Sequence, residues 1–217
     1  MARTRIKVCG LTRGPDARAA AAAGADALGV ILAPGHRRSV TVKEAAQVFS
    51  RVPPSVAKVG VFVDALLEDV SRAIEQLGLD EVQLHGTEDP MYCIAVDARV
   101  VKTFRVGLAF DPGSIERYRG VVDAVLLDTL VEGTAGGSGK PFDWKLARGV
   151  PKGAPVYLAG GLTLDNVREA VRRLRPAGVD VSSGVEDASG IKSEEKMKRF
   201  VAEVRAADRE NEERTRR

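Results

Sequence analysis

Eight short β-branched runs alternate with eight amphipathic, Ala/Arg/Glu-rich stretches along 217 residues, which predicts an α/β chain folded as a single-domain (β/α)8 TIM barrel. One unit takes about 27 residues, the spacing of a barrel of about 200–250 residues. Several runs are apolar on both faces, among them Leu28-Gly29-Val30-Ile31-Leu32 and Val59-Gly60-Val61-Phe62-Val63, as a parallel sheet covered by helices requires. A doubly wound open sheet would usually have fewer strands, and the first turn carries no glycine fingerprint of the dinucleotide kind.

Each unit has its own justification. The first strand, 4–9, ends in Cys9 and leads to an alanine-rich helix at 15–23 closed by Gly24. The apolar run 26–32 precedes a helix at 42–51. The run 57–63 precedes a helix at 65–77, with Asp64 placed as its N-cap and Gly78 as its C-cap. Strand 81–84 is followed by a helix at 88–96, where Cys93 reads as core. Strand 99–104 pairs with a helix at 112–119. Strand 123–128 ends in Asp128 and precedes a helix at 142–148, whose start Trp144 packs. Strand 155–159 leads to a helix at 164–175 capped by Asp165, and strand 178–181 to one at 193–207 capped by Ser193. The catalytic barrel is thus expected over 1–205. Residues 206–217 are mixed in charge without an apolar stripe and read as a frayed or disordered tail.

Composition excludes several classes. Lys and Arg number 33 against 30 Asp and Glu, a net charge of +3 with the signs interspersed, so no nucleic-acid partner is expected. No apolar stretch approaches the roughly 18–20 residues that span a bilayer, and the first residues lack the apolar core of a signal peptide. Two cysteines make no disulfide framework and fit a reducing cytoplasm. With two histidines and no Cys/His spacing of the zinc kind, no metal is expected. No outer helix carries a surplus apolar stripe, so the sequence assigns no oligomeric state.

In such a barrel the C-terminal ends of all strands meet in one mouth, where the chemistry is done. Cys9 and Asp128 both end strands there and form a candidate base and acid pair. A carboxylate after Val125-Leu126-Leu127 sheds solvation at the mouth, which favours the protonated form that can donate. Lys7 shares the strand face of Cys9, within reach of Asp128 or Asp180, and as a cation it would lower the thiol from about 8.5. Arg37 and Arg38, after the second strand, are either a solvated pair or a carboxylate clamp. His85, ending strand four, is either substrate-facing, a supporting group or satisfied by backbone. Glycine-rich ends follow strands six, seven and eight: Gly136-Gly137 within 133–140, Gly160-Gly161, and Ser183-Gly184. The last two occupy the ends where barrels of this class commonly hold a phosphate on backbone N–H groups.

Taken in order, these motifs are similar to those of one family. Lys7-Val8-Cys9-Gly10-Leu11-Thr12, Gln83-Leu84-His85-Gly86, Leu127-Asp128 with Gly136-Gly137-Ser138-Gly139-Lys140 and Phe142-Asp143-Trp144, Ala159-Gly160-Gly161-Leu162 with Asn166-Val167, and Asp180-Val181-Ser182-Ser183-Gly184-Val185-Glu186 together resemble the phosphoribosylanthranilate isomerases of tryptophan biosynthesis. The resemblance runs from about Arg5 to Phe200. It implies an Amadori rearrangement without cofactor, with Cys9 as general base and Asp128 as general acid. It further implies carboxylate binding by Arg38, with Arg37 as competitor, and phosphate binding by Gly160, Gly161, Ser183 and Gly184 beside the loop of Gly136 and Gly137. The sequence departs from the family at Ser39, where an aromatic residue is frequent, and at Ser193, where aspartate is common; serine caps a helix as well.

Three other readings compete. A histidine-pathway phosphosugar isomerase would carry an aspartate where Cys9 stands. A non-catalytic barrel serving as a binding module would have lost the acid, the base or the glycine loops, and all are present. An Arg-rich tail acting on nucleic acid or membrane predicts that removing 206–217 matters to function.

Overall fold

In the computed structural model, which describes residues 3–107, 110–129 and 154–216, eight parallel strands close into one barrel in sequence order. They are β1 (Arg5–Val8), β2 (Ala27–Ile31), β3 (Ala57–Phe62), β4 (Glu81–Leu84), β5 (Arg99–Val106), β6 (Ala124–Thr129), β7 (Val156–Leu158) and β8 (Gly178–Val181), each within two residues of its expected bounds. Closure is direct: Arg5 registers with Gly178 and Val8 with Val181. Around the barrel lie α1 (Gly14–Ala23), α2 (Val42–Phe49), α3 (Leu67–Leu77), α4 (Pro90–Ala95), α5 (Val167–Leu174) and α6 (Glu194–Arg216). A short hairpin not anticipated from sequence, β9 (Glu186–Ala188) with β10 (Ile191–Lys192), separates β8 from α6.

The period-two alternation of each strand makes two cores. Ile6, Val8, Leu28, Val30, Leu84, Leu127, Leu158 and Val181 face the helices and are buried with them. Val101, Ala124, Leu126, Tyr157 and Ala159 form a smaller cluster on the opposite, inward faces of β5 to β7. Burying each such Val or Leu stabilises the fold by about 1.5–3 kcal/mol. The inward faces of β1, β4 and β8 carry charge instead. At the barrel floor Arg5 Nη1 donates to Tyr157 Oη at 3.2 Å and pairs with Glu81 Oε1 at 2.5 Å. Half-buried Arg5 thereby supplies charge and a donor to Glu81 and Tyr157, which are buried.

Several local expectations are corrected. The helix expected at 112–119 is a 3₁₀ helix, Pro112–Tyr118, opened by Pro112 with the Asp111 carboxylate accepting from Gly113 N at 2.8 Å. Gly24 and Gly78 do close α1 and α3 in the left-handed conformation. Asp64 is not the cap of α3, because its carboxylate is taken by Thr87 N and Thr87 Oγ1 across the β3 and β4 loops. Nor does Asp165 cap α5: that position falls to Asn166, whose Oδ1 accepts from Thr163 N at 2.8 Å. Ser193 does precede α6, with its Oγ 3.5 Å from Lys196 N. The helix at 142–148, Trp144, Gly136 and Gly137 lie outside the described residues.

The tail expected to fray from residue 206 is instead helical to Arg216. Asp208 accepts from Thr4 N and Thr4 Oγ1, and Asn211 Nδ2 donates to Val171 O at 3.2 Å. Mixed charge concealed these anchors, since Ala207 and Asn211 are the buried positions of a face otherwise charged. Among the described residues no helix is long and apolar enough to cross a membrane.

Candidate active site

At the end of β1, Lys7 and Cys9 face the barrel interior, and the space they occupy is left by Gly29 of β2. A Cβ on Gly29 would lie 3.0 Å from Cys9 Sγ and 3.0 Å from Lys7 Cε. Lys7 Nζ donates to Asp180 Oδ2 at 2.9 Å, so of the two carboxylates considered for it, Asp180 is the partner. Burial works against the charge of Lys7, but Asp180 and Cys9 outweigh it and hold the lysine above its ordinary value. The thiol was expected to be lowered by this cation, and the balance runs the other way. Burial dominates and pushes Cys9 up, Asp180 adds to the rise, and Lys7 and Lys192 oppose it without overcoming it.

Asp128, the next-to-last residue of β6, is half-buried at the same mouth. Its Oδ2 lies 3.3 Å from His85 Nε2, and His85 Nδ1 lies 3.2 Å from Gln83 Nε2. Glu81, Gln83 and His85 occupy alternate positions of β4 and its end, so the strand's pleat sets all three on one face. Of the readings left open for His85, the structure gives it a carboxylate and an amide as neighbours rather than backbone.

Arg38 sits over the end of β1. Gly10, at φ 68°, admits it: a Cβ there would lie 2.6 Å from Arg38 Cδ. The guanidinium donates from Nε and Nη2 to Glu186 Oε1 and Oε2 at 2.6 and 2.9 Å. Lys192 Nζ, fully buried, donates to the same Oε1 at 2.9 Å and to Ser182 O at 3.1 Å. Arg37 has its side chain 59% exposed and only approaches Glu186, at 3.9 Å, so the buried arginine of the pair is Arg38. Ser39, where the family often carries an aromatic residue, ties down this loop by donating to Ala33 O and accepting from His36 N.

The glycine-rich ends of β7 and β8 abut one another. Gly160 and Gly161 both have positive φ, 76° and 67°. Asn166 Nδ2 then fixes Gly161 O at 2.8 Å. Ser183–Val185 turns as a 3₁₀ helix, and any Cβ on Gly184 would overlap Leu162 O. Ser182 Oγ donates to Cys9 O at 3.0 Å, tying this end to the strand of the thiol. Short turns of this kind aim backbone N–H groups at an anion.

Reading the sequence missed Glu186, Lys192 and Gln83 as parts of the site. The alternation Glu81, Gln83, His85 was the available signal for Gln83, whereas Glu186 was visible only as the end of the motif that begins at Asp180, and nothing marked the hairpin that delivers it with Lys192. Among the described residues no three His, Cys, Asp or Glu side chains are grouped to hold a metal ion.

A family profile described as N-(5'phosphoribosyl)anthranilate (PRA) isomerase matches residues 6–203. The N-(5'-phosphoribosyl)anthranilate isomerase of Magnetococcus marinus is 46% identical over 203 residues, covering 94% of this chain and 96% of that one. That of Dechloromonas aromatica is 47% identical over 212 residues, covering 95% and 98%. The crystal structure of the phosphoribosyl anthranilate isomerase from Thermus thermophilus superposes with a TM-score of 0.83 at 38% identity, covering 94% of this chain and 99% of that one. A crystal structure of a phosphoribosyl anthranilate isomerase in complex with reduced 1-(o-carboxyphenylamino)-1-deoxyribulose 5-phosphate superposes at 0.81 and 33% identity, covering 94% and 99%.

Proposed function

The chain belongs to the N-(5'-phosphoribosyl)anthranilate isomerase family, and from that premise we propose how its own residues divide the chemistry. The reaction is the Amadori rearrangement of N-(5-phosphoribosyl)anthranilate to 1-(2-carboxyphenylamino)-1-deoxyribulose 5-phosphate, a step of tryptophan biosynthesis. The observation that carries the division is the placement of a thiol at the end of β1 and a carboxylate at the end of β6 in one closed barrel.

Asp128, protonated, gives its proton to the ribose ring oxygen. The anthranilate nitrogen pushes as the C1–O bond breaks, leaving an iminium and the Asp128 carboxylate. Cys9 as thiolate takes the C2 proton. The C–H electrons form the C1–C2 double bond, and the nitrogen recovers its lone pair. Return of the proton from Cys9 to C1, and of the enol O–H proton to Asp128, gives the ketone and restores both groups. The iminium is the electron sink, so no redox cofactor is required. Its positive charge also favours a thiolate that burial disfavours in the free enzyme. Each proton transfer by a positioned group typically contributes about 10²–10⁴-fold.

Binding follows the same layout. Glu186 occupies the Nε side of Arg38, which leaves the Nη1 and Nη2 edge to take the anthranilate carboxylate. The substrate phosphate rests on the turns of Gly160, Gly161, Ser183 and Gly184. A reducing compartment suits both free cysteines, so we assign the enzyme to the cytoplasm.

The test generates the phosphoribosyl substrate in situ and follows loss of its anthranilate fluorescence. Rapid loss with wild type, and none with folded Cys9→Ala or Asp128→Asn, is the expected result. Near-normal kcat in either variant rules that residue out of its role.

A further inference from the structure

Gln83 is a buried amide on the inward face of β4. Its Nε2 faces His85 Nδ1 at 3.2 Å, while its Oε1 is buried without a hydrogen-bond partner among the described residues. With the amide NH2 toward the ring, Nδ1 of His85 accepts and the single proton of the neutral ring sits on Nε2, the tautomer that a facing Asp128 carboxylate also selects. That nitrogen lies 3.3 Å from Asp128 Oδ2. Asp128 is therefore met by a donor at one chosen oxygen.

The consequence concerns which oxygen carries the transferable proton. A donor at Oδ2 is compatible with the carboxylate, and also with a carboxylic acid whose proton is on Oδ1, because the carbonyl oxygen still accepts. It disfavours a proton on Oδ2, because a hydroxyl oxygen accepts less well than a carbonyl oxygen and would have to turn its own proton away from the ring. The opposite tautomer, with a bare Nε2, would draw the acid's proton onto Oδ2 and toward the ring, away from a substrate. The choice of tautomer thus decides whether Asp128 can act as a donor into the mouth.

We propose that Gln83 and His85 are positioning residues for the acid: Gln83 fixes the Nε2–H tautomer of His85, and His85 holds Asp128 Oδ2 so that the proton to be delivered resides on Oδ1. This rests on the reading of Asp128 as the general acid. The same logic, an outer group fixing the tautomer of a histidine that orients a reacting partner, operates wherever imidazole orientation is set by its second nitrogen.

The chain has two histidines, His36 and His85, so ¹⁵N-histidine spectra of the intact protein are simple to assign with His36→Gln. In the neutral form, His85 is expected to show a bare Nδ1 and a protonated Nε2, and Gln83→Glu, which offers an acceptor, to reverse this. Kinetically, His85→Ala and Gln83→Leu should lower kcat about tenfold or more with KM little changed. His85→Gln, whose amide can still donate to Oδ2, should recover most of the loss. If Gln83→Leu fails to fold, the pair His85→Ala and His85→Gln decides. A protonated Nδ1 in wild type overturns the proposal. So does a normal kcat in His85→Ala, or a His85→Gln no better than His85→Ala. In each of these cases an inactive Asp128→Asn leaves the acid assignment standing. An active Asp128→Asn removes the acid assignment itself.

Discussion

Arg38 is held by Glu186 through two parallel bonds, Nε to Oε1 at 2.6 Å and Nη2 to Oε2 at 2.9 Å, with Lys192 Nζ on the same Oε1 at 2.9 Å. Both partners of the pair are largely buried, at 12% and 6% side-chain exposure, so the geometry is fixed in a way that exposed ion pairs are not. An arginine shared in this manner keeps its other edge free and correctly turned. In the carboxylate clamp proposed for Arg38, Glu186 acts on substrate through that arginine.

Glu186→Gln should raise KM roughly tenfold, the equivalent of one charge-assisted contact set out of line, with kcat nearly unchanged. Steady-state kinetics with the in situ substrate check this. A fall in kcat at constant KM would mean that Glu186 serves the chemistry and not the arginine.

The same carboxylate predicts an acid-stability signature. Burial pushes Glu186 up, but hydrogen bonds from Arg38 and Lys192 overcome this and hold it at about 2 rather than 4.5. A depressed carboxylate contributes stability above its unfolded value and loses it as pH falls through the folded one. The Tm advantage of wild type over Glu186→Gln should thus be full above pH 4.5 and shrink progressively toward about pH 2. A gap that stays constant over that window contradicts the ion pair as its source.

The barrel was legible because each strand needed only a short β-branched run, and a run such as Val59-Gly60-Val61-Phe62-Val63 is apolar on both faces for one reason. Cys9 and Asp128 were legible as strand ends. The supporting shell was not. Strand-face alternation put Lys7 within reach of Asp180, which it does meet, but Glu186 reaches Arg38 across 148 residues of sequence from a hairpin that periodicity does not encode. The direction of the Cys9 shift was misread because the cation beside it was visible in sequence while the depth of its burial was not.

That depth sets a reactivity. With burial pushing the thiol above its ordinary value, Cys9 of the substrate-free enzyme should be mostly protonated at pH 7 and alkylated slowly by iodoacetamide. Its labelling rate should keep rising beyond pH 9, and Lys7→Met, which removes an opposing cation, should move the rise further up. Mass spectrometry separates Cys9 from Cys93, itself pushed up to about 11 by burial. Fast labelling of Cys9 at pH 7 would show that the lysines prevail over burial.

The C-terminal helix makes the last prediction, and it divides stability from catalysis. Each helix runs back down the barrel, so α6 leaves the mouth at Glu194 and meets the start of β1 near its other end. There Asp208 accepts from Thr4 N at 3.2 Å, Arg205 Nη1 donates to Thr4 O, and Ala207 is fully buried. Deleting residues 206–217 removes Asp208 and leaves Thr4 N and Thr4 Oγ1 without their acceptor, while Arg205 and its bond to Thr4 O stay, at a cost of about 1–3 kcal/mol per orphaned group. The mouth lies at the opposite end of the strands. Thermal melts should therefore show a clear drop in Tm on truncation, while kcat and KM measured well below the new transition stay at wild-type values. Altered kinetics in a truncated protein still fully folded would give the tail a part in the site, and an unchanged Tm would mean that its contacts with Thr4 and Val171 do not stabilise the fold.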